Sequence, residues 1–185
     1  MKEYGKNMSK KYSRYQTPSL LKARKRLGEQ VEFINYQMDA KYQGIGINKT
    51  YCVKTYGCQG NLADSEKISG LLEQMGYTVV LDEAKADVVL FNTCAIRENA
   101  ENRIFGELGR FVKYKKNNPS MIIGICGCMM QEEATIEKIQ KKCPHVDVIF
   151  GTHNIVKLPE YLYIALNNQK ALEVMSVEGD IYENI

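Results

Sequence analysis

From residue 50 onward, short apolar runs alternate with segments whose apolar residues recur at helical spacing. The runs at 88–91 and 121–125 are continuously apolar, which is typical of strands buried on both faces. In the segment 62–75, apolar residues fall at spacings of three and four, which predicts an amphipathic helix. Strands that alternate with helices of ten or more residues predict βαβ units and a mostly parallel sheet.

The predicted fold is therefore α/β. We expect a doubly wound sheet of flavodoxin- or Rossmann-like type, with about five strands and helices on both faces. Asn61 is the predicted N-cap of the first helix, and Gly76 is expected to end it. The predicted strands are 51–56, 77–81, 88–91, 121–125, 146–151 and 170–175, and the predicted helices are 62–75, 97–116, 130–142 and 157–168.

Residues 1–49 differ from the rest and are predicted to form a basic leader. Positions 1–19 are polar and predicted to be disordered, whereas 20–38 has helical periodicity. Residues 1–50 carry 11 Lys and Arg against 4 Asp and Glu, while the remainder is mildly acidic. A basic arm suits tRNA or another polyanion, although a solvated tail is the simpler interpretation. The domain itself is predicted to span 50–175, followed by the start of a linker at 176–185.

Composition excludes several classes of protein. No run approaches the roughly 20 apolar residues of a membrane span, and the first residues lack a secretory signal. A cytoplasmic location is therefore expected, with no membrane partner. In that compartment the six cysteines should be reduced, and their spacing is too wide for a disulfide scaffold.

Three cysteines share one local context. Cys58, Cys94 and Cys128 each follow a predicted strand and precede a predicted helix. The carboxyl ends of parallel strands lie along one edge of a sheet, where open α/β folds bind their ligands. We therefore expect the three cysteines to meet at one crevice, with Cα atoms within about 10 Å of one another on the scale of iron–sulfur ligation.

The position of these cysteines also bears on their chemistry. A helix N-terminus favours thiolate over thiol, and thiolates bind metals. Soft sulfur ligands indicate zinc or an iron–sulfur cluster, and structural zinc commonly takes four protein ligands. Three thiolates would suit a [4Fe–4S] cluster with one iron left open, but the residues alone leave both metals possible.

The other cysteines and the histidines are interpreted as structural residues. Cys52 and Cys126 belong to apolar runs and are expected to pack in the core, although the sequence "CGC" also permits a redox pair. Cys143 ends a predicted helix and is expected to be structural. His145 is expected at the surface. His153 follows a strand and could face the crevice, with a structural or hydrogen-bonding role preferred.

Four motifs carry a family resemblance over about residues 50–183. "TYGCQGNLADSE", "NTCAIRENAENRIFGELGR", "GICGCMMQEE" and "IFGTHNIVKLPE" resemble, in order, the N-terminal domain of MiaB-type tRNA methylthiotransferases. In that family the domain holds an auxiliary [4Fe–4S] cluster through three cysteines, which match Cys58, Cys94 and Cys128. The resemblance implies that this cluster supplies sulfur for 2-methylthiolation of isopentenyladenosine next to the anticodon. Gly60 departs from the family pattern, where many members have Met.

The resemblance also implies parts of the enzyme that this sequence does not contain. The family's second [4Fe–4S] cluster binds a C-x3-C-x2-C motif in a radical S-adenosylmethionine domain, and no such spacing occurs here. We therefore expect a domain of a longer transferase that has no catalytic residues of its own and is inactive alone. The expected partner is the anticodon stem-loop of tRNA, with contacts from the leader, and a monomer is favoured. The leader cations concerned are Lys22, Arg24, Lys25 and Arg26.

Alternatives from other classes remain open on the sequence. The chain could be a zinc or thiol-redox module without a catalytic role, with His153 or Cys126 as a further ligand or partner. It could belong to the ribosomal-protein or threonylcarbamoyladenosine subfamily, although these usually carry "LGC" in place of "TYGCQ". A nucleotide-binding domain of flavodoxin type is disfavoured, because the chain has neither G-x-G-x-x-G nor a Walker loop.

Overall fold

A computed structural model describes residues 34–94, 100–173 and 182–183 of the chain. The predicted disorder at 1–19 and most of the predicted helix at 20–38 lie outside these residues. Where the description begins, Ile34–Asn35 is a strand (β1), so the predicted helix does not continue to residue 38. β1 pairs in parallel with Tyr182–Glu183 (β8), inside the range predicted to begin a linker. These four residues belong to a different compact unit from residues 37–173.

The second unit contains a six-stranded sheet in which every strand pair is parallel. Five strands have three or more residues, and one short edge strand completes the sheet, in agreement with the predicted number. The strands are Thr50–Tyr56 (β2), Thr78–Val79 (β3), Val88–Thr93 (β4), Ile122–Gly127 (β5), Val148–Phe150 (β6) and Ala171–Glu173 (β7). The helices are Gln59–Gln74 (α1), Ala100–Asn117 (α2), Glu133–Lys142 (α3) and Leu158–Leu166 (α4).

The strand order is β3-β2-β4-β5-β6-β7, which confirms the predicted doubly wound fold. The chain runs from β2 to the edge at β3 and then returns to place β4 on the other side of β2. This reversal is the topological switch point of flavodoxin-like sheets. Helices leave the two flanking strands toward opposite faces there and open a crevice at the carboxyl ends.

Helices cover both faces of the sheet, as the sequence predicts. On one face, α1 contacts β2 through the Tyr51 hydroxyl, which donates to Glu73, and α4 lies over β6 through the rings of Phe150 and Tyr161. On the other face, α2 and α3 enclose the larger apolar core. There the ring of Phe111 meets the ring of Phe91 edge to face, with centroids 5.1 Å apart.

Several boundaries differ from the sequence predictions. Helix α1 begins at Gln59, three residues before the predicted start, and Cys58 rather than Asn61 is its N-cap. The segment predicted as one helix from residue 130 divides into a 3-10 helix, Cys128–Gln131, and α3. Residues 95–99 lie outside the described residues, so the predicted start of α2 at residue 97 is not described. Within the described ranges, no helix is long and apolar enough to cross a membrane.

Two leucines of α1 provide a test of this packing. Leu72 is fully buried, whereas Leu62 is 54% exposed. We expect Leu72→Ala to lower the free energy of unfolding by about 2–5 kcal/mol, because it leaves a cavity in the core. Leu62→Ala should change it by less than about 0.5 kcal/mol. Denaturant titrations of both variants measure the difference, and equal losses would contradict the placement of α1.

A cysteine site at the switch point

The three predicted site cysteines follow three adjacent strands at the same edge of the sheet. Cys58 lies two residues beyond β2, Cys94 follows β4 directly, and Cys128 follows β5 directly. The register aligns the ends of these strands, with Tyr56 opposite Thr93 and Thr93 opposite Gly127. Since neighbouring strands lie about 4.8 Å apart, the aligned ends span about 10 Å. The site therefore includes both strands that flank the switch point.

Cys58 is the exposed member of the site. Cys58 is the N-cap of α1. Its thiol accepts hydrogen bonds from the backbone amides of Asn61 and Gly60, which lower the pKa of the thiol. Contact with the Cys94 thiol adds to this decrease. The cause is the one expected at a helix N-terminus, where unpaired amides stabilise the thiolate. Gly60 leaves room beside the sulfur, since a Cβ built there would lie 3.6 Å from the Cys58 Sγ.

Cys94 and Cys128 are more enclosed. Cys94 is buried, and its backbone amide donates to the Tyr56 carbonyl at 3.0 Å, which ties the end of β4 to the end of β2. Cys128 is half-buried at the start of its 3-10 helix, and its thiol donates to the Thr93 carbonyl at 3.8 Å. The structure thus brings Cys58 and Cys94 into contact and places Cys128 against the segment between them.

Two buried asparagines connect the strands beneath the cysteines. Asn61 in α1 and Asn92 in β4 are almost fully buried, and the Asn61 side-chain Nδ2 donates to the Asn92 side-chain Oδ1 at 3.0 Å. Sequence reasoning missed this pair because it treated Asn61 only as a helix cap. The signal was an asparagine inside the continuously buried strand "VVLFNT", since a buried amide requires partners.

The remaining cysteines pack as predicted. Cys52 is half-buried against the core, and Cys126 and Cys143 are buried. Burial raises the pKa of all three thiols, which keeps them protonated. Cys126 points to the face of the sheet that carries α1, where the nearby Asp64 carboxylate raises its pKa further.

The two histidines differ from each other. The prediction that His145 is a surface residue is only partly right, because it is half-buried and its Nε2 lies 2.8 Å from the Leu108 carbonyl oxygen. His153 is exposed in a 3-10 helix after β6. Burial raises the pKa of the Asp64 carboxyl, and this increase outweighs the opposing effects of the nearby Lys67 and His153.

An aromatic and charged cluster lies on the face of the sheet that carries α2. The Tyr56 ring stacks on Phe91 with centroids 6.2 Å apart, and the Arg103 guanidinium lies 4.9 Å from the Tyr56 centroid. Beside it, Lys54 forms ion pairs with Glu83 and Glu107. The sequence did not identify this cluster, because its members come from separate elements with no motif in common.

Comparison with known proteins identifies a family over the region that contains the site. Residues 50–151, which include all three site cysteines, match the family described as "Uncharacterized protein family UPF0004". The chain belongs to this family. The matched region runs from β2 to the residue after β6 and therefore contains the switch point and its crevice.

Curated relatives extend the match beyond the UPF0004 region. Proteins named "tRNA-2-methylthio-N(6)-dimethylallyladenosine synthase" from Staphylococcus aureus (strain JH9) and Staphylococcus haemolyticus (strain JCSC1435) are each 48% identical to this chain over 190 residues. Each alignment covers 99% of this chain and 37% of the relative. The chain thus spans little more than a third of the length of these relatives. The resemblance to the N-terminal domain of MiaB-type tRNA methylthiotransferases is confirmed.

The three thiols at the site of this UPF0004 domain are ligands of the chemical type that binds iron–sulfur clusters. Three thiols occupy adjacent strand ends, and the most exposed one has a lowered pKa. The side chains are not arranged around a metal, however. Among residues 34–94, 100–173 and 182–183, no group of three His, Cys, Asp or Glu could hold a metal ion as placed. The Cys128 thiol turns instead to the Thr93 carbonyl.

The environments of the thiols predict their order of reaction in the metal-free protein. Cys58 is exposed with a lowered pKa, so its thiolate fraction at neutral pH exceeds that of an ordinary cysteine. We expect iodoacetamide to modify Cys58 first, with a pH profile shifted to lower pH. Cys126, buried with a raised pKa, should react only after unfolding. Mass spectrometry of the alkylated peptides measures both rates, and faster labelling of Cys126 would refute the assignment.

Proposed function

We propose that this chain is the auxiliary-cluster domain of a tRNA methylthiotransferase. In this proposal Cys58, Cys94 and Cys128 hold a [4Fe–4S] cluster. The observation that carries it is the arrangement of these cysteines on three adjacent parallel strands across the switch point, where α/β sheets bind their ligands. When bound, the cluster would supply sulfur for transfer to the substrate.

The residues of the chain have distinct parts in this function. Three thiolates can ligate three irons of a [4Fe–4S] cluster and leave the fourth without a protein ligand. The first turn of α1 stabilises the Cys58 thiolate through the Gly60 and Asn61 amides. The exposure of Cys58 leaves one side of the site open to a substrate, while Cys94 lies buried behind it.

The substrate is proposed from the relatives. Their name describes 2-methylthiolation of N6-dimethylallyladenosine in tRNA, which favours this subfamily over the ribosomal-protein and threonylcarbamoyladenosine types. Because this chain covers only 37% of those proteins, the activity of the whole enzyme is part of the proposal. S-adenosylmethionine and a second [4Fe–4S] cluster would belong to the remainder, and this chain alone is expected to be inactive. The cytoplasmic location and the monomeric state stay predictions.

Anaerobic reconstitution with iron and sulfide tests the cluster. We expect about four iron and about four sulfide per chain, with a broad visible absorption that dithionite bleaches. The second candidate is a zinc module, favoured by the soft thiol donors alone. Retention of stoichiometric zinc, with no iron bound when both metals are offered, would overturn the cluster assignment and support that candidate.

A separate prediction concerns four cations of the leader that lie outside the described residues. Replacing Lys22, Arg24, Lys25 and Arg26 together by alanine should weaken tRNA binding and reduce the slope of log K against log salt by up to about 4. The matched control removes four exposed lysines from the folded part, Lys67, Lys113, Lys116 and Lys141. Filter binding at several salt concentrations measures the tRNA affinity and its salt dependence for both variants. A larger effect from the control would place the RNA surface on the sheet domain instead.

A further inference from the structure

We infer that Asn61 is a positioning residue that holds the three cysteine-bearing segments together. This inference rests on the proposed cluster function and adds to it. Asn61 is 4% exposed and is the third residue of α1. Its Oδ1 accepts from the Cys58 amide at 3.2 Å and lies 3.4 Å from the Cys58 sulfur. Its Nδ2 donates to the Thr93 carbonyl at 3.2 Å and to Asn92 Oδ1 at 3.0 Å.

The Thr93 carbonyl is the junction between the other two cysteines. It accepts from Asn61 and from the Cys128 thiol, and Thr93 is the residue directly before Cys94. The Thr93 hydroxyl also donates to the Cys126 carbonyl at 2.8 Å, which fixes the end of β4 against β5. One side-chain amide therefore bonds to the segment of Cys58 and to the segment of Cys94, and shares an acceptor with Cys128.

Asn92 determines the orientation of the Asn61 amide. Its Nδ2 donates to the Asn61 carbonyl at 2.8 Å and to the Ser65 Oγ at 3.0 Å, so its Oδ1 faces Asn61 as an acceptor. The Ser65 hydroxyl in turn meets Thr55 Oγ1 at 2.7 Å. A buried network in which every group is paired specifies one arrangement, and loss of one partner leaves a costly unsatisfied group.

Two glycines leave the space that this network occupies. A Cβ at Gly57 would lie 2.1 Å from Asn61 Oδ1, and a Cβ at Gly127 would lie 2.7 Å from Asn92 Oδ1. The backbones before Cys58 and Cys128 thus pack directly on the two amides. The side chains of Asn61 and Asn92 therefore position the loops that carry Cys58 and Cys128, in addition to forming a buried hydrogen bond with each other.

Asn61→Asp separates positioning from general stability, because it keeps the shape and the Oδ1 acceptor but removes the donor to Thr93 and Asn92. Ser65→Ala is the matched control. It removes the Ser65 hydrogen bonds to Thr55 and Asn92 in the same network, on the same helix, but none to Cys58, Thr93 or Cys128. The readout is the rate at which an iron chelator bleaches the reconstituted 185-residue chain. Unfolding titrations of the metal-free variants are run in parallel.

We expect Asn61→Asp and Asn61→Ala to accelerate cluster loss by about 10–100-fold, the usual effect of removing an outer partner of a metal ligand. Ser65→Ala should stay within about twofold of the unsubstituted chain at a comparable loss of stability. Equal rates for Asn61→Ala and Ser65→Ala, or failure of both Asn61 variants to fold while Ser65→Ala folds, would overturn the inference and leave Asn61 a structural role. If the unsubstituted chain takes up no cluster, the proposed function itself fails.

Discussion

Replacing Cys58, Cys94 or Cys128 by alanine is expected to abolish the visible absorption of the reconstituted chain or to make it rapidly lost. Each substitution removes one of three proposed iron ligands, and a cluster that already has one open iron cannot lose another protein ligand without becoming labile. Iron content should fall correspondingly below about four per chain. Absorption spectra and iron analysis, recorded anaerobically after desalting, measure the loss.

The control variants are the cysteines that pack in the interior. Cys52→Ala and Cys143→Ala should retain the absorption, because Cys52 lies within β2 and Cys143 caps the end of α3. The unfolding free energies of all five variants identify any loss that comes from folding. If all five lose the cluster equally, the assignment of three ligands is wrong and the effect is one of stability.

Gly127→Ala is expected to cause the largest loss of stability among single glycine substitutions near the site. Gly127 has φ of 105°, a conformation that L-residues rarely adopt, and a Cβ there would lie 2.1 Å from the Thr93 carbonyl oxygen. Backbone strain of about 1–2 kcal/mol and overpacking of about 1–3 kcal/mol together predict a loss of several kcal/mol. The displaced Thr93 carbonyl should also impair cluster uptake.

Gly109→Ala is the matched control for this experiment. Gly109 lies inside α2, and a Cβ built there meets nothing within 4 Å. Alanine should therefore raise the free energy of unfolding by about 0.5–1 kcal/mol, because it restricts the unfolded chain and favours helix. In denaturant titrations, the free energy of unfolding should fall for Gly127→Ala and rise for Gly109→Ala. A stable Gly127→Ala protein would show that the end of β5 can relax away from β4.

The sequence by itself determined the type of fold and the cysteine positions. Continuous apolar runs separated by helical segments specify parallel strands with crossover helices, because no other arrangement buries both patterns. The carboxyl ends of such strands share an edge, so Cys58, Cys94 and Cys128 could be assigned to one edge from chain order alone. Both signals follow from the order of elements along the chain and need no knowledge of which strands are neighbours in space.

Prediction from the sequence was wrong where a residue's role depends on contacts that are distant in the chain. Asn61 was predicted as a helix cap because asparagine is a favoured cap residue. The structure places Cys58 there instead, and Asn61 turns inward to meet Asn92, 31 residues away in the chain. An asparagine in a buried strand indicates that a partner is needed, but no periodicity or motif identifies that partner as Asn61 on another element.

Only the tertiary structure decided the strand order and, with it, the position of the cysteines relative to the switch point. The placement of β4 beside β2, after the chain has gone to the edge at β3, puts the switch point between the strands of Cys58 and Cys94. The local pattern of a strand is the same whichever neighbour it pairs with, because either neighbour satisfies its backbone and buries its side chains. Strand order follows instead from the packing of all four helices on the two faces, which is a property of the whole domain.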